Sequence, residues 1–339
     1  MRAAALALLL VACGGKTEAQ PAPPVEDVQP RYDYPRDGEL RVDQLQAKAT
    51  HNSYHLEPPN NKLIDWKYTH APLDVQLDKL GVREVELDLH LEDGVFRVFH
   101  LKNFDDKTTC DLFSECLAVI KRWSDGHRGH HLLVVQMEAK GGAPGAFEGY
   151  FDELHREILS VWPEKRILTP AKLQGSYPTI KAALAARGWP KLGETRGMIL
   201  FAMDERGDTQ AAYTHDHKDL NGRLVFPDAD PADAYAAFSV ANDPTSDAKL
   251  IQQAIAAHML VRTRADSDGT EAAANDTTRQ KTALASGVNF VTTDFPVKVA
   301  GADYFLEIPG GTPSRCNPLT APKDCSSRDI ESPQQLLTP

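Results

Sequence analysis

Arg83-Glu84-Val85-Glu86-Leu87-Asp88-Leu89-His90 alternates polar and apolar residues from Glu84 to its end. On an extended strand successive side chains point to opposite faces, so Val85, Leu87 and Leu89 share one face while Glu86 and Asp88 share the other. An exposed strand with its polar face in water satisfies this pattern. In a barrel, the apolar set meets the surrounding helices and the acids point inward, where unpaired carboxylates are too costly to keep. A bound cation removes that cost.

Working outward, Leu132-Leu133-Val134-Val135-Gln136-Met137-Glu138 is a strongly apolar run that ends in one acid, with Lys140 two residues on. Ligand and catalytic groups of parallel barrels stand where strands end, which puts Glu138 in a ligand position. Ala49-Thr50-His51-Asn52 closes an earlier strand-like run, and Phe96-Arg97-Val98-Phe99-His100 closes another. Strand-like segments are expected near residues 45–51, 82–90, 95–100, 131–138, 197–203, 236–241, 258–263 and 288–293. Amphipathic helical stretches are expected near 71–80, 110–124, 147–160, 178–187, 246–257 and 271–286. This alternation predicts a mostly parallel sheet, and about eight strands over roughly 260 residues suit an α/β fold of the (β/α)8 TIM-barrel type, with room for irregularity. A doubly wound open sheet is the alternative.

The chain has 339 residues, 42% of them hydrophobic and 25% charged, an ordinary globular make-up. Its formal charge of −11 argues against nucleic acid as a partner and against electrostatic adhesion to anionic lipid. The first thirteen residues, one basic group followed by a short apolar run, read as a signal peptide, and Leu10-Val11-Ala12-Cys13 resembles the lipobox of bacterial lipoproteins. Lipidation at Cys13 would make the protein an exported cell-envelope lipoprotein, periplasmic or at the outer membrane; an ordinary signal peptide would make it secreted. Residues 14–37, with Pro21, Pro23, Pro24, Pro30 and Pro35, read as a flexible linker, 38–308 as one catalytic barrel, and 309–339 as a C-terminal extension.

Four cysteines remain, and local bridges Cys110–Cys116 and Cys316–Cys325 are the simplest of three pairings in an oxidising compartment. Zinc is the competing use, but close C-x-x-C pairs are missing. Two histidines beside strand-end carboxylates form a pattern that neither makes alone. Oxygen donors suit a hard cation such as calcium, and histidines suit proton transfer near neutral pH, a combination that fits displacement at phosphorus.

The forms THNSYH, VELDLHLEDGVFRVFH and VVQMEAK, in that order, resemble the calcium-dependent phosphoinositide-specific phospholipase C family, in its small bacterial branch. The likeness spans roughly residues 45 to 297 and includes VRTRAD and GVNFVTTDFP. It implies a PLC-like barrel in which His51 and His100 are the catalytic pair and Asn52, Glu86, Asp88 and Glu138 hold Ca2+. It further implies attack of the inositol 2-hydroxyl on phosphorus, with His100 the acid for the diacylglycerol leaving group and His51 supporting the charged transition state. Glu86 could serve as first base as well as a histidine. Lys140, Arg262 and Arg264 are candidates for phosphate or inositol contacts. The expected substrate is an inositol phospholipid or glycerophosphoinositol, met at a membrane surface through the N-terminal lipid by a monomer. The rivals are a glycerophosphodiester or other headgroup phosphodiesterase on the same barrel, and a non-catalytic binding lipoprotein. His127-Arg128-Gly129 resembles the HRG motif of glycerophosphodiester phosphodiesterases but precedes the wrong strand, Asp266-Ser267-Asp268-Gly269 begins an EF-hand-like loop without its closing glutamate, and the His130-His131 and His215-Asp216-His217 clusters read as solvated.

Overall fold

A computed structural model describes residues 34–140, 149–267, 269–298, 303–311 and 313–331. Cys13, the signal-like segment and most of the proposed linker lie outside these residues.

The strands are β1 (Leu45–Thr50), β2 (Val82–Glu92), β3 (Val95–Val98), β4 (Leu133–Lys140), β5 (Ile199–Met203), β6 (Phe226–Pro227), β7 (Phe238–Val240), β8 (Leu260–Arg264), β9 (Phe290–Thr293) and β10 (Ser314–Cys316). Eight run parallel in the order β6-β5-β4-β2-β1-β9-β8-β7. The two ends of this row meet through a single parallel bridge, Asp228 to Phe238, so the TIM barrel is nearly but not fully closed.

Two elements differ from the sequence expectation. The run near 95–100 is not a third barrel strand. β3 pairs antiparallel with β2, Leu89 facing Val98, because Asp93 and Gly94 both adopt positive φ (51° and 79°) and turn the chain in two residues. A parallel neighbour would need a crossover of a dozen residues. The eighth barrel position is filled instead by the two-residue β6, whose Phe-Pro sequence is too short to carry any periodicity.

Outside the barrel, Val85, Leu87, Leu89, Leu133, Val135 and Met137 are buried beneath helices. The helix Phe113–Gly126 shows why: Phe113, Cys116, Leu117, Ile120 and Trp123 recur at three- and four-residue spacing and form its buried stripe. Each such side chain contributes about 1.5–3 kcal/mol through burial. The foot of the barrel is closed by the C-terminal stretch. β10 pairs antiparallel with the start of β1, Leu45 facing Cys316, and Glu331 forms a buried two-pronged ion pair with Arg83, whose guanidinium lies 4.8 Å from the Trp123 ring. The cysteines are joined as Cys110–Cys116 and Cys316–Cys325. At the near end of the chain, Tyr34 is buried under Arg196, which also pairs with Asp37 at 2.6 Å.

Candidate active site

Register partners on parallel neighbours share a face. Asp88 stands opposite Glu138, Glu86 opposite Gln136, Ala49 opposite both Glu84 and Thr292, and Arg264 opposite Thr292. The inward-facing set is therefore polar toward the carboxyl ends of β1, β2, β4, β8 and β9, which are contiguous in the sheet. β2 carries the opening octapeptide with its acids inside, as the alternation requires.

Glu86, Asp88 and Glu138 each offer one carboxylate oxygen, and the three atoms lie within 4.8 Å of one another. Among the described residues this is the one cluster of three or more His, Cys, Asp or Glu side chains close enough to hold a metal ion. Two basic groups neutralise it. Arg262, 1% exposed, pairs with Glu86 and Asn242 and donates from Nε to Thr292 at 3.0 Å. Lys140 Nζ pairs with Glu138 and lies 3.1 Å from Asp88. Beyond this Lys140 ammonium, neither buried oxygen of Asp88 has a hydrogen-bond partner.

The titration tendencies follow. Burial pushes Asp88 well above the carboxylate range despite Lys140, and it pushes Glu84 up to about 8, helped by neighbouring Glu86. Burial would raise Glu86 as well, but Arg262, with His51, Arg264 and Lys140, reverses this and holds it below its ordinary value. Burial lowers Lys140, yet Asp88 and Glu138 bring it up to about 12. An all-oxygen set in which the buried oxygens of Asp88 meet only the Lys140 ammonium fits a calcium ion. Asn52 brings an amide to this end of the barrel; it is buried, adopts φ 42°, and its Oδ1 accepts from the Tyr54 hydroxyl at 3.1 Å.

Each candidate catalytic histidine is turned by an acid. His51, directly after β1, donates from Nδ1 to Asp294 Oδ1 at 2.8 Å, and Arg264 Nη2 reaches the other oxygen of Asp294 at 3.1 Å. Burial works against ionised Asp294, but His51 and Arg264 outweigh it and bring it down to about 2. His100, carried by the β2–β3 hairpin rather than by a barrel strand, donates from Nδ1 to Asp105 Oδ2 at 2.8 Å. Both imidazoles keep Nε2 for whatever enters the mouth, and their side chains are 21% and 23% exposed. Of the basic candidates, Lys140 and Arg264 are 20% and 14% exposed, while Arg262 is enclosed beneath them.

Sequence reasoning misses Asp294, Asp105, His55 and Asp204. Asp294 carries a usable signal, since it ends a strand as Glu138 does. Asp105 lies in a short loop with no periodicity. Asp204, after β5, accepts from Gln136 at 3.2 Å, and burial pushes it well above its ordinary range. His127-Arg128-Gly129 precedes β4, at the opposite end of the barrel, where His127 stacks on Trp123 at 4.6 Å. His215 and His217 are engaged by Asp219 and Tyr235. The His130-His131 pair, expected to be solvated, is instead buried, because His130 Nε2 lies 2.5 Å from the Ser124 hydroxyl and His131 Nε2 lies 2.7 Å from the Ser314 hydroxyl.

A family described as phosphoinositide phospholipase C, Ca2+-dependent, matches residues 89–318. Two solved structures share the fold. A Ca2+-dependent phosphatidylinositol-specific phospholipase C from Streptomyces antibioticus is 19% identical, with a TM-score of 0.55 over 76% of this chain and 95% of that one. A calcium-dependent phosphoinositol-specific phospholipase C from a Gram-negative Pseudomonas species, in an apo form and myoinositol complex, is 17% identical, with a TM-score of 0.59 over 79% and 95%. No curated protein matches the chain.

Proposed function

The chain belongs to the family of Ca2+-dependent phosphoinositide phospholipases C, and from that we propose that it cleaves phosphatidylinositol or a related inositol phospholipid into diacylglycerol and an inositol phosphate, cyclic or opened by water. The observation that carries the reading at this site is the three-carboxylate cluster bracketed by two acid-oriented histidines. Asn52, Glu86, Asp88 and Glu138 are the residues that would hold calcium, which when bound would offset charge on the phosphate oxygens.

The chain's own groups do the rest. His100, held by Asp105, presents Nε2 to protonate the diacylglycerol oxygen as the phosphorus–oxygen bond breaks. His51, fixed by Asp294, supports negative charge on the phosphoryl group, and Arg264 and Lys140 supply the local positive field that a protein of net charge −11 otherwise lacks. Arg262 serves from behind, holding Glu86 ionised, so that this carboxylate takes the proton of the attacking inositol hydroxyl as the new phosphorus–oxygen bond forms.

Apolar side chains at the mouth suit a substrate presented in a lipid surface. Leu63, Ile64, Leu101 and Phe104 are 51%, 43%, 42% and 74% exposed, Leu101 directly follows His100, and the Trp66 ring lies 6.1 Å from the His100 ring. Among the described residues no helix is long and apolar enough to cross a membrane. We read the protein as an exported monomer of a bacterial envelope, tethered through lipidated Cys13.

The test is a panel of phosphodiesters assayed with calcium and with chelator. Inositol phosphate release from phosphatidylinositol that stops in chelator is the expected result. Inertness toward every inositol lipid, alongside release of glycerol or choline phosphate, overturns it.

A further inference from the structure

His55 is fully buried, has no path to substrate, and is used by nothing above, yet both its ring nitrogens are engaged. Nδ1 lies 3.1 Å from the backbone carbonyl oxygen of Tyr68, and Nε2 lies 2.8 Å from Asp105 Oδ1, the oxygen of that carboxylate not used by His100. The ring is stacked on Tyr68 at 4.2 Å. The arrangement is rigid: Asp105 and Leu101 exchange backbone hydrogen bonds, Leu56 N donates to Lys107 O, and Thr109 N donates to Tyr54 O.

Counting protons in this chain gives a result that the separate contacts do not. A carbonyl oxygen is only an acceptor, so Nδ1 must bring a hydrogen to Tyr68. A carboxylate is also only an acceptor, so a neutral ring with its hydrogen on Nδ1 would set two lone pairs against each other at 2.8 Å unless a proton lies between them. That proton is present whether it is written on Nε2 of an imidazolium or on Asp105. Either way, the buried His55–Asp105 pair carries no net charge.

We propose that His55 is a positioning residue that shares a proton with Asp105. Asp105 then orients His100 through its other oxygen without imposing a full negative charge on the imidazole that must release its proton. A bare carboxylate in the same place would hold that proton more tightly and slow its transfer. Burial works against an ionised Asp105, and the bonds from His100 and His55 more than reverse it. The other charged or titratable groups facing this cluster are Tyr68 and His70 from the segment before the first barrel helix, Arg264 on β8 and Asp294 after β9.

The role of His100 as acid rests on the proposed function, but the shared proton does not, and the two are separated by experiment. Protein labelled with 15N-histidine is examined by long-range proton–nitrogen correlation at neutral pH, with His55 assigned through its contacts to the Tyr68 ring. The expected spectrum shows Nδ1 of His55 protonated and a low-field proton between Nε2 and Asp105. A neutral ring with Nδ1 bare overturns the proposal whatever the enzyme cleaves.

In the kinetic arm, His55→Gln still donates a hydrogen bond to Asp105 but cannot hold the extra proton. The alkaline limb of the kcat profile should move up by about one pH unit, the shift expected when an uncompensated carboxylate faces an imidazole, with KM unchanged. An unmoved limb with a uniform loss of kcat marks His55 as structural only and overturns the proposal. Failure to cleave any phosphoinositide would remove the proposed function and leave the nitrogen spectra standing.

Discussion

Glu86→Gln removes one charge at the point where the metal cluster and its buried arginine meet, and the two consequences can be measured apart. Without metal, the new amide still offers Arg262 an oxygen, but the guanidinium, 1% exposed, loses its counter-ion. Breaking a buried pair in this way costs about 3 kcal/mol. With metal, one of three carboxylates is gone. A loss of about 2.7 kcal/mol in binding corresponds to about a hundredfold weaker calcium affinity. At a calcium concentration about a thousandfold above the wild-type dissociation constant, the ion stabilises the wild-type fold by about 4 kcal/mol and the variant by about 1.4 kcal/mol. The assay is thermal melting of both proteins in chelator and in that calcium, alongside turnover of phosphatidylinositol. The variant should melt lower in chelator, recover only part of the calcium-induced rise, and lose activity by orders of magnitude. An undiminished calcium-induced rise in the variant refutes the ligand assignment, as does wild-type turnover that chelator leaves unchanged.

His130 is buried and its burial lowers it to about 3, against an ordinary value of 6.5. Its folded state binds the proton less readily than the unfolded chain, so the stability it contributes is complete above pH 6.5 and is lost as pH falls toward 3. Denaturant unfolding should show about 2 kcal/mol lost between pH 6.5 and 5 from this group, and a smaller slope in His130→Gln. Replacing Cys110 and Cys116 by serine opens a bridge of sequence separation 6, with an expected loss of about 2 kcal/mol read as a lower melting temperature. Phe104→Ser should lower turnover on phosphatidylinositol vesicles several-fold while leaving hydrolysis of a soluble inositol phosphodiester unchanged; equal losses on both would place Phe104 in the catalytic loop's packing instead.

Much of the barrel is legible because its strands are longer or more apolar than anything around them. β2 and β4 announce themselves, and with them Glu86, Asp88 and Glu138, since alternation and a strand-ending acid survive in one dimension. What escapes is whatever depends on a turn or on partners far apart in the chain. Two residues of positive φ convert the expected third barrel strand into a hairpin arm, so His100 stands on that arm and not at the end of a barrel strand. The Phe226–Pro227 strand is too short to signal. Asp294 and His51 are separated by 243 residues, and Asp105 serves His100 and His55 from a loop whose composition is unremarkable. Local pattern finds the three clustered carboxylates; only folding brings the orienting acids.

The seam between β6 and β7 has a mechanical consequence. The strands that bear the site occupy the middle of the row, and the weakly joined pair stands at its two ends, held across by the Asp228–Phe238 bridge. Breathing of the barrel should thus fall on the side away from the reactive groups, as a split ring opens opposite its setting. Amide protons along Asp228 to Phe238 should be the first barrel protons to exchange with solvent, while those of β1, β2 and β9 exchange last. Such a pattern would leave the spacing between the clustered carboxylates and the two histidines insulated from the motion that the open seam permits.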